Sequence, residues 1–220
     1  MKKTKKPIIA IIISVICMAI IVILDQISKY IMVSAFGMEQ YIGVLEHDDL
    51  ENIVGGLQSI KVIPGILNFS FVLNDGMALG MMDDHRWVFM TLSSVAIVAI
   101  LVYLFWKKPQ NKLLLISLTL ITGGGIGNMI DRVKLGYVID FIDFCAFPQL
   151  WKWVFNVADS CVTVGACVLA LWMILDLIKD IKAEKEKKLV ESCGGIVPEE
   201  PIAEQSEVAE SDEQNDGNNE

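Results

Sequence analysis

Four stretches of the chain are free or nearly free of charge: Pro7 to Leu24, Trp87 to Trp106, Leu113 to Ile130, and Val154 to Leu175. At about 1.5 Å of helical rise per residue, each is long enough to cross roughly 30 Å of hydrocarbon. The pattern therefore predicts four transmembrane helices. Between the first two, Leu67, Phe69, Phe71 and Leu73 alternate with Asn68 and Ser70, directly after the turn pair Pro64-Gly65. A period of two is that of a half-buried strand. The predicted fold class is an all-α integral membrane protein with four transmembrane helices and a small extracytoplasmic β-strand segment resting on the membrane surface.

Composition agrees with this reading. Of the 220 residues 54% are hydrophobic and only 20% are charged, with a mean hydropathy of +0.52, too apolar for an ordinary soluble domain. Lys2, Lys3, Lys5 and Lys6 precede the first apolar run, as they would in a cleaved leader. That run continues past Cys17 to Leu24 with no small-x-small site, and "SVIC" places bulky Ile16 where a lipoprotein-type cleavage site needs a small residue. The first helix is expected to be retained.

Lysine distribution sets the orientation. Four lysines precede helix one, three (Lys107, Lys108, Lys112) lie between helices two and three, and five (Lys179, Lys182, Lys185, Lys187, Lys188) follow helix four. The connection after helix one is instead dominated by Glu39, Glu46, Asp48, Asp49 and Glu51. The positive-inside rule predicts both termini cytoplasmic and the connections at about 37 to 86 and 131 to 153 facing outward. The formal charge of -9 resides in the C-terminal tail: after Lys188 there are ten acidic and no basic residues. We expect residues 1–178 to form the membrane domain and 179–220 a basic-then-acidic disordered cytoplasmic tail.

Other site classes find little support. Cys17, Cys161 and Cys167 lie in apolar runs and Cys193 in the tail; with Cys145 they form no CxxC or Cys/His spacing, and His47 and His85 are the only histidines. No Gly-rich phosphate loop or basic-aromatic surface for nucleic acid is visible.

What remains is polar groups in or beside the membrane, which are costly there and mark function by default. In "LDQISKY", Asp25 and Lys29 share a helical face; a snorkelling pair ending helix one and a site role both fit. In "LNDGMALG", Asn74, Asp75 and Gly76 form a tight turn. In "TGGGIGNMIDR", Gly124, Asn128 and Arg132 recur every four residues with Asp131 beside them. In "GYVIDFIDFCAFPQLWKWVFNVADS", Asp140, Asp143 and Asp159 lie among apolar residues, Asp159 about five residues inside helix four with Asn156 on its face. Burial raises a carboxylate's pKa, and a second carboxylate nearby raises it further, so such a pair shares one proton. It suits a water held between general base and general acid, or proton or cation carriage through the membrane. A proton- or cation-coupled small carrier is the alternative, although no internal repeat is evident.

The four motifs "DQISK", "NDGMALG", "GGGIGNMIDR" and "VIDF...FNVAD", in this order on four predicted helices, closely resemble lipoprotein signal peptidase, or signal peptidase II, a bacterial aspartic peptidase of the plasma membrane. The resemblance covers about residues 10 to 175. It implies removal of the signal peptide from diacylglyceryl-modified prolipoproteins, just before the lipidated cysteine, with no metal or organic cofactor. It implies Asp140 and Asp159 as the catalytic dyad, and leaves Asp143 outside it. Asp25, Lys29, Asn74, Gly76, Gly124, Asn128, Asp131, Arg132, Asn156 and Ala158 fall on motif positions that support the dyad or hold substrate. Asn74 and Asn156 would hold peptide backbone or the tetrahedral oxygen, Arg132 would pair with Asp131 or hold a lipid phosphate or carbonyl, and Ala158 would keep the floor beside Asp159 shallow. The expected partners are lipidated prolipoproteins and membrane lipid, not nucleic acid; a monomer is expected, with its site near the outer face. Two departures are a Leu79 where phenylalanine is common and a longer loop at residues 46–63.

Overall fold

The computed structural model describes residues 5–45, 47–74, 86–149 and 153–192. The chain divides into two compact units, Met1–Leu175 and Asp176–Glu220. In chain order the elements are α1 (Lys5–Ala35), α2 (His47–Val54), β1 (Ile60–Ile63), β2 (Leu67–Asn74), α3 (Arg86–Lys107), α4 (Lys112–Lys134), β3 (Val138–Phe144), β4 (Val154–Phe155) and α5 (Val157–Ser192). α1, α3, α4 and α5 are long and apolar enough to cross a membrane. The protein is a multi-pass membrane protein, mostly helical, with one small antiparallel sheet.

The central helix is α4, and its sequence explains why. Of its apolar window 56% is buried, against 22% for α1 and 6% each for α3 and α5. Successive helical residues point about 100° apart, so three consecutive glycines open three sides. A Cβ on Gly123 would lie 3.1 Å from Ile21 of α1, one on Gly125 3.2 Å from Ile97 of α3, and one on Gly124 would collide with the Ala158 carbonyl of α5. Small residues of this kind let helices pack closely in lipid. Away from α4 the helices expose Ile12, Ile16, Ile23, Val95, Val98, Val102, Val164 and Leu171, a surface suited to acyl chains.

One apolar cluster joins Met32, Val33 and Met38 to Leu50, Phe71, Tyr137, Ile139 and Phe141, where α1 meets α2 and the sheet. Another joins Met18 to Leu104, Leu114, Leu115 and Leu118. Asp25 and Lys29 lie between Met18 and Met32 along α1, fully enclosed. A snorkelling pair would end helix one here; instead α1 runs on to Ala35, because both charges have partners inside the bundle.

The sheet has the order β1-β2-β3-β4, all neighbours antiparallel. β2 occurs where the alternation predicted a strand. It carries an extra residue between Phe69 and Val72, a bulge opposite Phe141. Ser70 and Asn74 are four apart and would share a face in a regular strand, whereas Asp140 and Asp143 are three apart and point to opposite faces. The bulge reconciles the two: Ser70 donates to Asp143 at 2.9 Å and Asn74 donates to Asp140 at 2.7 Å.

The structure moves two expected boundaries. Val154 and Phe155 pair with Asp143 and Ile142 as β4, so α5 begins only at Val157 and Asp159 lies in its first turn, not five residues in. In the second unit, residues 179–192 are helical where a disordered tail was expected to begin at 179. The run "KDIKAEKEKKLVES" has neither glycine nor proline and closes an i,i+4 bond between Glu184 and Lys188. Residues 193–220 lie outside the described residues.

Candidate active site

The start of α5 builds one side of the site. Asn156 precedes the helix; its Oδ1 accepts from the Asp159 N–H at 2.8 Å, and Asp159 Oδ2 accepts from the Asn156 N–H at 3.1 Å. This is a reciprocal capping box, and it requires the three-residue spacing seen in "NVAD". The Asp159 carboxylate is thereby fixed at the positive end of the helix dipole. The other oxygen, Oδ1, accepts from Asn128 Nδ2 of α4 at 2.7 Å.

β3 supplies the other side. Asp140 is 1% exposed, its Oδ1 accepting from Asn156 Nδ2 at 2.7 Å and its Oδ2 from Asn74 Nδ2 at 2.7 Å. Asn156 thus contacts both carboxylates, and all four carboxylate oxygens accept an amide hydrogen. Burial pushes the Asp140 pKa up to about 7, helped by the nearby Asp159 charge and opposed by the Asn74 and Asn156 bonds and by Lys29. Asp143, on the opposite face of the strand, accepts from Ser70 instead.

A second layer lies beneath. Lys29 Nζ pairs with Asp25 Oδ2 at 2.8 Å and Asp131 Oδ2 at 2.7 Å, and donates to Asn128 Oδ1 at 3.0 Å. Asn128 Oδ1 also accepts from Asn156 Nδ2 at 3.0 Å. With its oxygen so engaged, the Asn128 amide must turn its nitrogen to Asp159. Asp25 Oδ1 accepts the Ala158 N–H at 3.0 Å, and Asp131 Oδ2 the Ile139 N–H at 3.3 Å.

Nearly all residues singled out from the sequence meet here: Asp25, Lys29, Asn74, Gly124, Asn128, Asp131, Arg132, Asp140, Asn156, Ala158 and Asp159. Gly76, with Asp75, Ala78 and Leu79, lies outside the described residues. Two details differ from expectation. The Asn74 and Asn156 amides are directed to the Asp140 carboxylate. Asp131 pairs with Lys29, while Arg132 sits half-buried in the field of Asp159, Asp140 and Asp131. Ala158 is fully buried against α4 beneath the site, packed where Gly124 and Gly127 leave room for it.

Sequence reasoning missed two contributors. Gln26 Nε2 donates to Asp131 Oδ1 at 2.8 Å and to the Gly127 carbonyl at 3.3 Å. Gly127 lets Asp25 approach: a Cβ there would stand 2.7 Å from Asp25 Oδ2. Both were visible as signals, Gln26 as a third polar residue in an apolar helix and Gly127 as the residue four before Asp131. Among the described residues no three His, Cys, Asp or Glu side chains group as metal ligands.

The arrangement matches known proteins. The family of signal peptidase (SPase) II matches residues 17–175. The lipoprotein signal peptidase of Symbiobacterium thermophilum is 34% identical over 166 residues, covering 74% of this chain and 94% of the relative. That of Caldanaerobacter subterraneus is 37% identical over 161 residues, covering 73% and 95%. A solved bacterial membrane enzyme at 2.3 Å resolution shares the fold with a TM-score of 0.60 at 29% identity, over 74% of this chain and 88% of that one. Another, at 1.9 Å, gives 0.57 at 28% identity, over 73% and 91%. With the match spanning most of the chain and taking in every described residue of the amide-bound carboxylate pair, this protein belongs to the signal peptidase II family of membrane peptidases.

Proposed function

We propose that this chain is an aspartic endopeptidase that removes the signal peptide from diacylglyceryl-modified bacterial prolipoproteins, cutting before the lipidated cysteine with water held between Asp140 and Asp159. The observation that carries the reading is Asn156: one side chain donates to Asp140 while sharing a capping box with Asp159, so residues from a strand and a helix converge on one place. Names of relatives supply the substrate class.

The roles follow from the surroundings. Asp140, with a pKa of about 7, is half protonated at neutrality and holds its proton below it. Asp159, accepting two N–H groups in the first turn of α5, carries the negative charge. Water attacks the scissile carbonyl carbon, giving one proton to Asp159, while Asp140 protonates the carbonyl oxygen. Collapse of the tetrahedral intermediate breaks the C–N bond; the proton on Asp159 passes to the departing nitrogen of the cysteine, and Asp140 recovers its own from the hydroxyl. Asn74, Asn128 and Asn156 hold the carboxylates, and Arg132 offsets their charge or takes a polar group of the lipidated substrate. Asp25, Lys29, Asp131, Gly124 and Ala158 support them from below.

We place both termini in the cytoplasm, on the lysine distribution, and the dyad near the outer face of the bacterial plasma membrane. A substrate that is itself an apolar helix with a lipid at its cut site enters sideways from the bilayer. The test is cleavage, by the purified protein in detergent, of one prolipoprotein with and without diacylglyceryl on its cysteine, with product termini read by mass spectrometry. Cutting before the cysteine of the lipidated form alone is expected; equal cutting of both, or cutting elsewhere, would defeat the reading.

A further inference from the structure

Lys29 makes three polar contacts, and each partner reaches the dyad by a separate path. Its ammonium has three hydrogens. One meets Asp25 Oδ2, one Asp131 Oδ2 and one Asn128 Oδ1, at 2.8, 2.7 and 3.0 Å. Asp25 pins the N–H of Ala158, the residue before Asp159. Asp131 pins the N–H of Ile139, the residue before Asp140. Asn128 donates to Asp159 itself. All four of these anchoring side chains, Asp25, Lys29, Asn128 and Asp131, are at most 8% exposed.

We infer that Lys29 is a positioning residue that sets the separation of the two dyad carboxylates, by tying the backbone in front of Asp140 and the backbone in front of Asp159 to one ammonium nitrogen. The inference rests on the proposed catalytic role of that pair. β3 is held to the start of α5 by its pairing with β4, by Val157 packed on the cluster of Ile139 and Phe141, by Asn156, and by this buried layer, which alone fixes the residues directly in front of both carboxylates. Gln26 stiffens the same layer from α1, holding Asp131 Oδ1 and the Gly127 carbonyl. Gly127 leaves the space in which Asp25 sits. Charge alone does not meet the requirement. A guanidinium presents its donors in a larger planar fork, whereas the three acceptors here converge on a single compact nitrogen.

The charged groups facing one another in this region are Asp25 and Lys29 from α1, Asp131 and Arg132 from α4, Asp140 from β3 and Asp159 from α5. Two interacting carboxylates titrate as a pair, and the gap between their apparent pKa values reports how close they are. Spacing is therefore readable in the pH dependence of turnover.

The experiment compares wild type, Lys29→Arg, Asp131→Asn and Asp140→Asn in the same detergent, recording thermal unfolding, kcat, KM and the pH profile of kcat/KM. Asp131→Asn keeps an oxygen for the Ile139 N–H but removes the ion pair to Lys29, so it tests the tie if Lys29→Arg does not fold. For either folded variant we expect kcat to fall by about 10²-fold, as for a misplacement on the order of 1 Å, KM to stay near wild type, and the two limbs of the pH profile to move closer together. Wild-type kcat and an unchanged pH profile per folded molecule in either variant would overturn the inference, since a merely structural lysine would lower only the folded fraction. If Asp140→Asn retains turnover, the dyad reading itself fails; if it is inert while Lys29→Arg works normally, only the spacer is lost.

Discussion

Two acid–base pairs at identical helical spacing sit in opposite surroundings. Asp25–Lys29 in α1 is closed at 2.8 Å with side chains 0% and 4% exposed; Glu184–Lys188 in α5 is closed at 2.6 Å with side chains 66% and 72% exposed. The shorter contact is the less consequential one. Water and salt screen the exposed pair, whereas the buried one has Asp131, Asn128, Gln26 and the Ala158 N–H in place of the solvent it has lost. Spacing makes an ion pair possible, and surroundings decide what it does.

The comparison is broken most severely by removing one buried partner. Lys29→Ala leaves Asp25 and Asp131 enclosed without a cation and should cost about 3–5 kcal/mol of stability, read as a drop in thermal midpoint in detergent. Next is Gly127→Ala, whose methyl would meet Asp25 Oδ2 at 2.7 Å. Asp25 is held on two sides and cannot retreat, so we expect a loss of about 1–3 kcal/mol, with turnover reduced in the same variant.

A third prediction concerns protons. The folded-state pKa of Asp140 is about 7 against an ordinary 3.8. Between those values the native state holds a proton that the unfolded chain has released, so this group's contribution lowers stability as pH rises through that window and levels off above about 7. Unfolding midpoints measured from pH 4.5 to 8 should show this decline in wild type, and Asp140→Asn should flatten it. The smallest effect belongs to the exposed pair: Lys188→Ala should change stability by no more than about 0.5 kcal/mol, and 1 M salt should erase even that while leaving the Lys29 effect intact.

Much of this was legible in the chain. Four apolar runs became four helices because nothing but a helix bundle or closed barrel satisfies the backbone in lipid. Asp25 with Lys29 and Gly124 with Asn128 shared faces as their spacings required, and Asn156 with Asp159 proved to be a capping box. β3 was hidden. In "VIDFIDF" the buried Asp140 interrupts the alternation by which β2 announced itself, and β4 is only two residues long. The choice between Asp140 and Asp143 was open to chemistry alone, because it depends on strand register and on a bulge in the neighbouring strand. Gln26 and Gly127 carry local signals, a polar residue in an apolar helix and a small one four before Asp131, but their partners lie across elements and no local pattern names those.

The most direct test of the account is cleavage of a diacylglyceryl-modified prolipoprotein by the purified protein beside its Asp140→Asn, Asp159→Asn and Asp143→Asn forms, each checked for folding. The account predicts that wild type and Asp143→Asn cut, while the other two stay folded and lose about 10²-fold or more in turnover. An essential Asp143 with a dispensable Asp140 or Asp159 would contradict it.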